Sequence, residues 1–290
     1  MGIMELLQEI NRIHGTSFRL IERYNDGEQG AFAIANGCGR RCVLKWSAGT
    51  HSVSRLEEAR AVTDILRGIG YPAPRYLFIG RAFEGDYSIQ VALPGSPMHR
   101  LAVMYVSRLL EIDALQVGRA LPGQQDWHHE VVNTVLRGGD GYCLHSSLLQ
   151  YSPDTVDLLR ELQALVSVHE DEPRRTNDIV HGDFQLANIL VHAQQISGVI
   201  DWDAPFAGDC AFDIATLLFY AYDEPTLREL LWQHLLQRAS LNLLSVYMAH
   251  LILRQVDWSL RFYDQGTIER YLSRGRTILQ DITQRTQTSH

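Results

Sequence analysis

The chain has 290 residues, 46% of them apolar and 21% charged, with no low-complexity tract; this is the usage of a folded globular protein, long enough for one two-lobed molecule or two modest domains. Its formal net charge of −8 argues against a broad contact with nucleic-acid phosphates and slightly favours cationic partners. No segment reaches the roughly 18 to 20 apolar residues that a membrane crossing needs, the N-terminal MGIMELLQEINRIHG lacks the layout of a secretion signal, and the four cysteines lack zinc spacing and read as reduced packing residues, so a cytoplasmic location is expected.

After a short N-terminal helix, Phe18 to Tyr24, Ala31 to Asn36 and Arg41 to Trp46 are β-rich runs separated by NDGEQG and GCG turns, which predicts a three-stranded meander. SRLEEARAVTDILRGIG follows, with Leu56, Ala59, Thr63 and Leu66 at helical spacing, a candidate capping box of Ser54 and Glu57, and stop signals at Gly68, Gly70 and Pro72. RYLFIG and YSIQVAL then predict two further strands. A β-rich N-terminal lobe with one helix is therefore expected over 1–93. A larger, mostly helical C-terminal lobe is expected over 94–290, with apolar-periodic runs at Pro153 to His169, Leu227 to Arg238 and Leu241 to Phe262. NILVHAQQISGVIDW is its β island, a hairpin; Gln124 to Leu149 shows too little periodicity to assign, and the terminal QRTQTSH is expected to fray.

The segment that carries chemistry is H-G-D-F-Q-L-A-N-I-L, His181 to Leu190, followed by V-I-D-W-D, Val199 to Asp203. It supplies a carboxylate, an amide five residues later and a second carboxylate thirteen residues after that, on a loop and a hairpin. Phosphoryl transfer needs such a set: one acceptor aimed at an attacking hydroxyl, and hard oxygen ligands for a magnesium ion bridging phosphates. On these motifs the chain resembles the aminoglycoside phosphotransferase family, which carries H-G-D where protein kinases carry H-R-D. The likeness runs through nearly the whole order of elements and is sharpest from Ile179 to Ala215.

The resemblance implies an α+β, protein-kinase-like two-lobed fold. It makes Asp183 the catalytic aspartate, Asn188 and Asp201 ligands of Mg2+, and Asp203 a supporting acid near the metal. Asp209 and Asp213, in G-D-C-A-F-D-I-A, are expected to cap a helix and brace the catalytic loop, and His181 to contribute a loop-bracing hydrogen bond. Lys45, at the end of C-V-L-K, matches the strand lysine that contacts the α and β phosphates, with Glu58 as its helical partner; a solvated strand-end lysine is the other reading. Gly27 and Gly30 fall in the hairpin that closes over phosphates in this fold, although a plain β-turn explains them equally. The backbone of Val91 and Leu93 is expected to hydrogen-bond adenine, with Gln90 at the back of the base site. Trp127-His128-His129-Glu130 lacks metal-ligand spacing and reads as surface or substrate-lobe structure, and Tyr247, Trp258, Phe262 and Tyr263 read chiefly as core.

The implied activity transfers the γ-phosphate of ATP, with GTP as the alternative donor, to a hydroxyl of a small molecule. The leading acceptor is a hydroxylated, cationic, aminoglycoside-like antibiotic, for which Asp223, Glu224, Asp257, Asp264 and Glu269 offer carboxylates. Alternatives are a metabolic kinase of choline, homoserine, methylthioribose or ketosamine type, and a nucleotide-binding module without turnover. Only about ten residues separate Asp201 from Asp213, too few for the activation segment of a protein kinase. No nucleic-acid or membrane partner is expected, and the oligomeric state is left open.

Overall fold

The β-rich runs of the first third of the chain close into one antiparallel sheet. The structure is a computed structural model that describes residues 2–24, 31–48, 53–202 and 204–288. Strands β1 (Arg19–Arg23), β2 (Ala31–Ala35), β3 (Arg41–Ala48), β4 (Tyr76–Ala82) and β5 (Gly85–Val91) are ordered β1-β2-β3-β5-β4. The chain divides into two compact units, the first made of residues 1–98 and 187–205, the second of 99–186 and 206–290.

In the first unit, α1 (Ile3–His14) buries Leu6, Leu7 and Ile10, three positions on one helical face, against Ile34, Cys42, Leu44, Tyr87 and Ile89 of the sheet. Because strand side chains alternate, Cys42 and Leu44 facing this core places Lys45 on the opposite face. Helix α2 (Val53–Gly68) packs on β4 and β5 through the Leu56, Ala59, Thr63 and Leu66 stripe. It begins before Ser54, so Ser54 lies in its first turn rather than at the N-cap, and Glu57 pairs with Arg60 one turn on instead of closing a capping box. The β island forms as expected, with β8 (Ile189–His192) and β9 (Gln195–Val199) as a hairpin, and β6 (Ser96–Pro97) adding to β8. Its two-residue turn, Ala193-Gln194, has φ of 47° and 59°, the pair of positive values that matches the twist of a tight hairpin.

The second unit is helical: α3 (Val103–Ala114), α4 (Trp127–Arg137), α5 (His145–Tyr151), α6 (Pro153–His169), α7 (Ala211–Tyr220), α8 (Pro225–Leu236), α9 (Leu241–Phe262) and α10 (Gln265–Thr288), with a short ribbon of β7 (Asp178–Val180) and β10 (Phe206–Gly208). Helix α9 is the hub, packed by α4, α5, α6, α7 and α10 and buried on nearly every side. Two expectations are corrected. The unassigned stretch from Gln124 contains α4, capped by Asp126 accepting from the His128 N–H, with Trp127, Val131 and Val135 buried at four-residue spacing; Trp127 and His128 are core, not surface. The C-terminal residues continue α10 to Thr288, because Arg285 pairs with Glu229 at 2.9 Å and lies over the Trp232 ring. Among the expected core aromatics Tyr247 is buried, but Phe262 and Tyr263 are exposed; among the cysteines only Cys38 is exposed, and all four are free thiols. No helix among the described residues is long and apolar enough to cross a membrane.

His250 on α9 is fully buried among Trp127, Phe212 and Tyr142, its Nδ1 2.9 Å from Thr134 Oγ1 and its Nε2 without a partner among the described residues. Burial pushes its pKa down to about 3 from 6.5. The folded protein then binds fewer protons than the unfolded chain between those values, so stability falls as pH drops below about 6.5, by up to about 1.4 kcal/mol per unit. Urea unfolding at about pH 7 and pH 5 should show this acid slope, and His250→Gln should flatten it; an unchanged slope would assign it to other groups.

Candidate functional site

In the first unit the hairpin carries the amide and the carboxylate to one end. Ile189 pairs with Val199, and the Ile200 N–H donates to the Asn188 carbonyl at 2.9 Å, so Asn188 and Asp201 end the two strands within a residue of each other. Asn188 is buried, in a single 3₁₀ turn. Asp201 is held in the left-handed region, φ 70°, a conformation that costs a non-glycine residue of order 1 kcal/mol and needs surrounding structure to impose it. The neighbouring Trp202 does so: it is buried edge-on against Tyr71, ring centroids 5.4 Å apart, and its Nε1 donates to the Val199 carbonyl. Lys45 reaches this point from the far face of β3, its Nζ donating to Asp201 Oδ1 at 2.6 Å.

Glu58 Oε1 is buried without a hydrogen-bond partner among the described residues. At the strand end, the Val91 N–H donates to the Arg75 carbonyl at 2.8 Å and the Ala92 N–H to the Arg41 carbonyl, while buried Gln90 donates to Ser88 at 3.3 Å. A base at this edge could use Val91 only through its carbonyl. Gly27, Gly30 and Asp203 lie outside the described residues.

In the second unit the His-Gly-Asp loop is braced from below. Asp213, wholly buried on α7, accepts the N–H groups of His181 at 2.8 Å and Gly182 at 3.0 Å, and Gln116 donates both to it and to the Ile179 carbonyl. Burial raises the Asp213 pKa, against the lowering effect of His181 and these donors. Gly182 has φ 77°, a turn that glycine makes without steric cost and that turns the chain toward Asp183. The His181 Nδ1 accepts from the Asp183 N–H at 3.2 Å, and Asp209 accepts from the Ala211 N–H at the start of α7, so the bracing and capping roles are both filled.

Asp183 itself is half-buried, with both oxygens engaged: Arg254 on α9 donates to Oδ1, and Gln185 Nε2 donates to Oδ2 at 3.0 Å. Arg254 also donates to the Gly182 carbonyl at 2.8 Å, and Tyr220 to Gln185 Oε1 at 3.2 Å. Burial works most strongly against the Arg254 charge, but the surrounding groups, the Asp183 carboxylate first among them, together hold the guanidinium above its usual range. Arg254 was not anticipated from the sequence. The available signal was a lone cation inside the apolar run Met248 to Val256.

Of the five acids offered to an ammonium group, three are ion-paired within this unit and two accept from neutral donors. Asp223 pairs with Arg274 and Glu224 with Arg100; Asp257 accepts from Ser147 at 2.6 Å and Arg261 at 2.8 Å. Asp264 caps Thr267, and Glu269 accepts from Gln265 at 2.9 Å. The three ion-paired acids lend a cationic acceptor no support.

Among the described residues no group of three or more His, Cys, Asp or Glu could hold a metal. The donor set at the hairpin is one amide and one carboxylate, hard oxygens that suit a magnesium ion whose remaining ligands are phosphates and water.

In fold the chain is similar to solved antibiotic phosphotransferases. It aligns with aminoglycoside phosphotransferase APH(4)-Ia at TM-score 0.72 and 18% identity, covering 96% of this chain and 99% of that one. A GDP and kanamycin complex of APH(2")-IIia aligns at 0.62 and 14% identity, covering 98% and 99%. Amicoumacin kinase hAmiN, in complex with AMP-PNP, Ca2+ and Ami, aligns at 0.62 and 13%, covering 95% and 93%. A search of curated proteins finds no match. The architecture is thus the protein-kinase-like α+β fold of these enzymes. The chain belongs to the phosphotransferase enzyme family APH, whose model matches residues 21–244.

Proposed function

We propose that the protein is a small-molecule kinase that moves the γ-phosphate of ATP, with GTP as the alternative donor, to a hydroxyl group. The observation that carries this reading is the pairing of Lys45 with Asp201 at 2.6 Å, because a lysine across 156 residues of chain meets the one carboxylate that the family motif assigns to the metal. Asp183 orients the acceptor hydroxyl and takes its proton. Asn188 and Asp201 would hold Mg2+, which supplies neutralising charge to the phosphates when bound. Lys45 holds the α and β phosphates, and Glu58, on the helix that follows, orients it there. Val91, through its carbonyl, and Leu93 contact the base, and Gly27, Gly30 and Asp203 keep their assigned phosphate-loop and supporting roles. Transfer through a loose transition state depends on positioning and electrostatics more than on a strong base, so an ordinary carboxylate suffices.

The acceptor is a small hydroxylated molecule. The solved relatives' aminoglycoside complexes make an aminoglycoside-like antibiotic the first candidate, and a cytoplasmic enzyme meeting that drug would serve resistance. The internal pairing of three of the five acids favours a second reading, a neutral or acidic metabolite phosphorylated by a metabolic kinase of the same fold.

ADP release from MgATP, measured against hygromycin B, kanamycin, amicoumacin and a set of hydroxylated metabolites, tests the proposal. An acceptor held by exposed ion pairs should show KM rising with ionic strength, whereas one held without them should not. Acceptor-stimulated release supports kinase chemistry. Turnover with neutral or acidic metabolites alone would replace the antibiotic reading, and no stimulation by any member, with nucleotide bound, would favour a module without turnover.

A further inference from the structure

We propose that Arg254 is a positioning residue for the catalytic carboxylate, holding Asp183 and the loop that carries it in the orientation the acceptor hydroxyl meets. The inference rests on the assignment of Asp183 made above. Its basis is a two-point clamp: one arm of the guanidinium donates to Asp183 Oδ1, and the other donates to the carbonyl of Gly182 at 2.8 Å. A planar guanidinium presents donors in a fixed fork, so the two contacts lock the side chain to the backbone turn that presents it; a flexible lysine ammonium cannot reproduce that geometry.

The other carboxylate oxygen is held independently. Gln185 donates to Oδ2 at 3.0 Å and is itself anchored by the Tyr220 hydroxyl at 3.2 Å. The carboxylate is therefore fixed about its own plane from two sides, by α9 through Arg254 and by α7 through Tyr220 and Gln185. Arg254 is 16% exposed and Asp183 33% exposed, so the pair lies at the edge of the unit, with the arginine the deeper member. In a loose phosphoryl transfer orientation contributes much of the catalysis, so a clamp that fixes the geometry of the carboxylate is favourable.

A merely structural ion pair predicts something different from a clamp on the base, and a double-mutant cycle separates them. In the full chain, ADP release from MgATP would be followed with water as the acceptor and with whichever hydroxylated compound the panel identifies, alongside Kd for MgADP. Arg254→Met, similar in length and uncharged, should lower kcat about 10- to 100-fold, within the range typical of a misplaced catalytic group, with Kd for MgADP unchanged. Arg254→Lys should recover only part of the loss, and added methylguanidinium should restore activity to Arg254→Met. In an Asp183→Asn background, Arg254→Met should cost nothing further, because the group it positions is already absent.

A folded Arg254→Met protein with full kcat would overturn the inference, as would a loss of equal size in the Asp183→Asn background. Should Arg254→Met fail to fold, the Arg254→Lys pair of measurements carries the same test. If Asp183→Asn alone keeps full turnover, the assignment of Asp183 fails, an outcome distinct from failure of the clamp.

Discussion

Asp183→Ala is expected to lower turnover by about 10²- to 10⁴-fold, the usual contribution of a general base or orienting carboxylate, while nucleotide binding stays close to its original strength. In the proposed mechanism the base touches the acceptor rather than the nucleotide, so calorimetry with MgADP should give a similar Kd. The substitution also leaves Arg254 facing an empty position, and an arginine only 16% exposed that loses its carboxylate is destabilising. Asp183→Asn separates the two effects, since it keeps an oxygen for Arg254 and should show the same turnover loss with less thermal destabilisation. Full activity in either folded variant would remove Asp183 from its role.

Asp201→Ala should damage both binding and turnover. In the proposed site the carboxylate is the anionic member of a two-residue donor set, and it also holds Lys45 at 2.6 Å, so its removal takes one metal ligand and one partner of the lysine at once. The expected result is a Kd for MgATP weakened at least tenfold, with its dependence on magnesium concentration shifted upward, and turnover reduced by a factor of about 10² or more, as for other groups acting on developing charge. Nucleotide binding without metal should change little. Lys45→Ala, by contrast, should weaken nucleotide binding with the magnesium dependence kept. If Asp201→Ala retained its normal response to magnesium, the metal assignment would be wrong.

The parts of this fold that could be read in the sequence are those with a single strong period. Arg41 to Trp46 is a β-rich run, so β3 followed from the pattern, and the hairpin around Ala193-Gln194 followed from two short apolar runs. Helix α4 did not, because its buried stripe includes His128 and Thr134, which count as polar in any pattern although both are buried. The start of α2 was misplaced for a related reason: Ser54 and Glu57 satisfy a capping signature, but Glu57 finds Arg60 within the helix.

At the candidate site, the His-Gly-Asp and Ile-Asp-Trp segments stand out in the sequence because each is a short local motif. The clamp was not, since Arg254 lies 71 residues from Asp183 and only the packing of α9 brings them together. The occupied acids show the same limit from the other side. Asp257 reads as a surface acid on an amphipathic helix, yet it is buried beneath Ser147 and Arg261.

The most direct measurement is of the product. Incubating the protein with MgATP carrying a labelled γ-phosphate and the acceptor panel, then separating the small molecules by mass spectrometry, shows where the label goes. The account predicts one labelled phosphoryl group on a hydroxyl of at least one acceptor, ADP formed in equal amount, and both products formed about 10²- to 10⁴-fold more slowly with Asp183→Asn. Label found only in inorganic phosphate, or on a side chain of the protein itself, would contradict it.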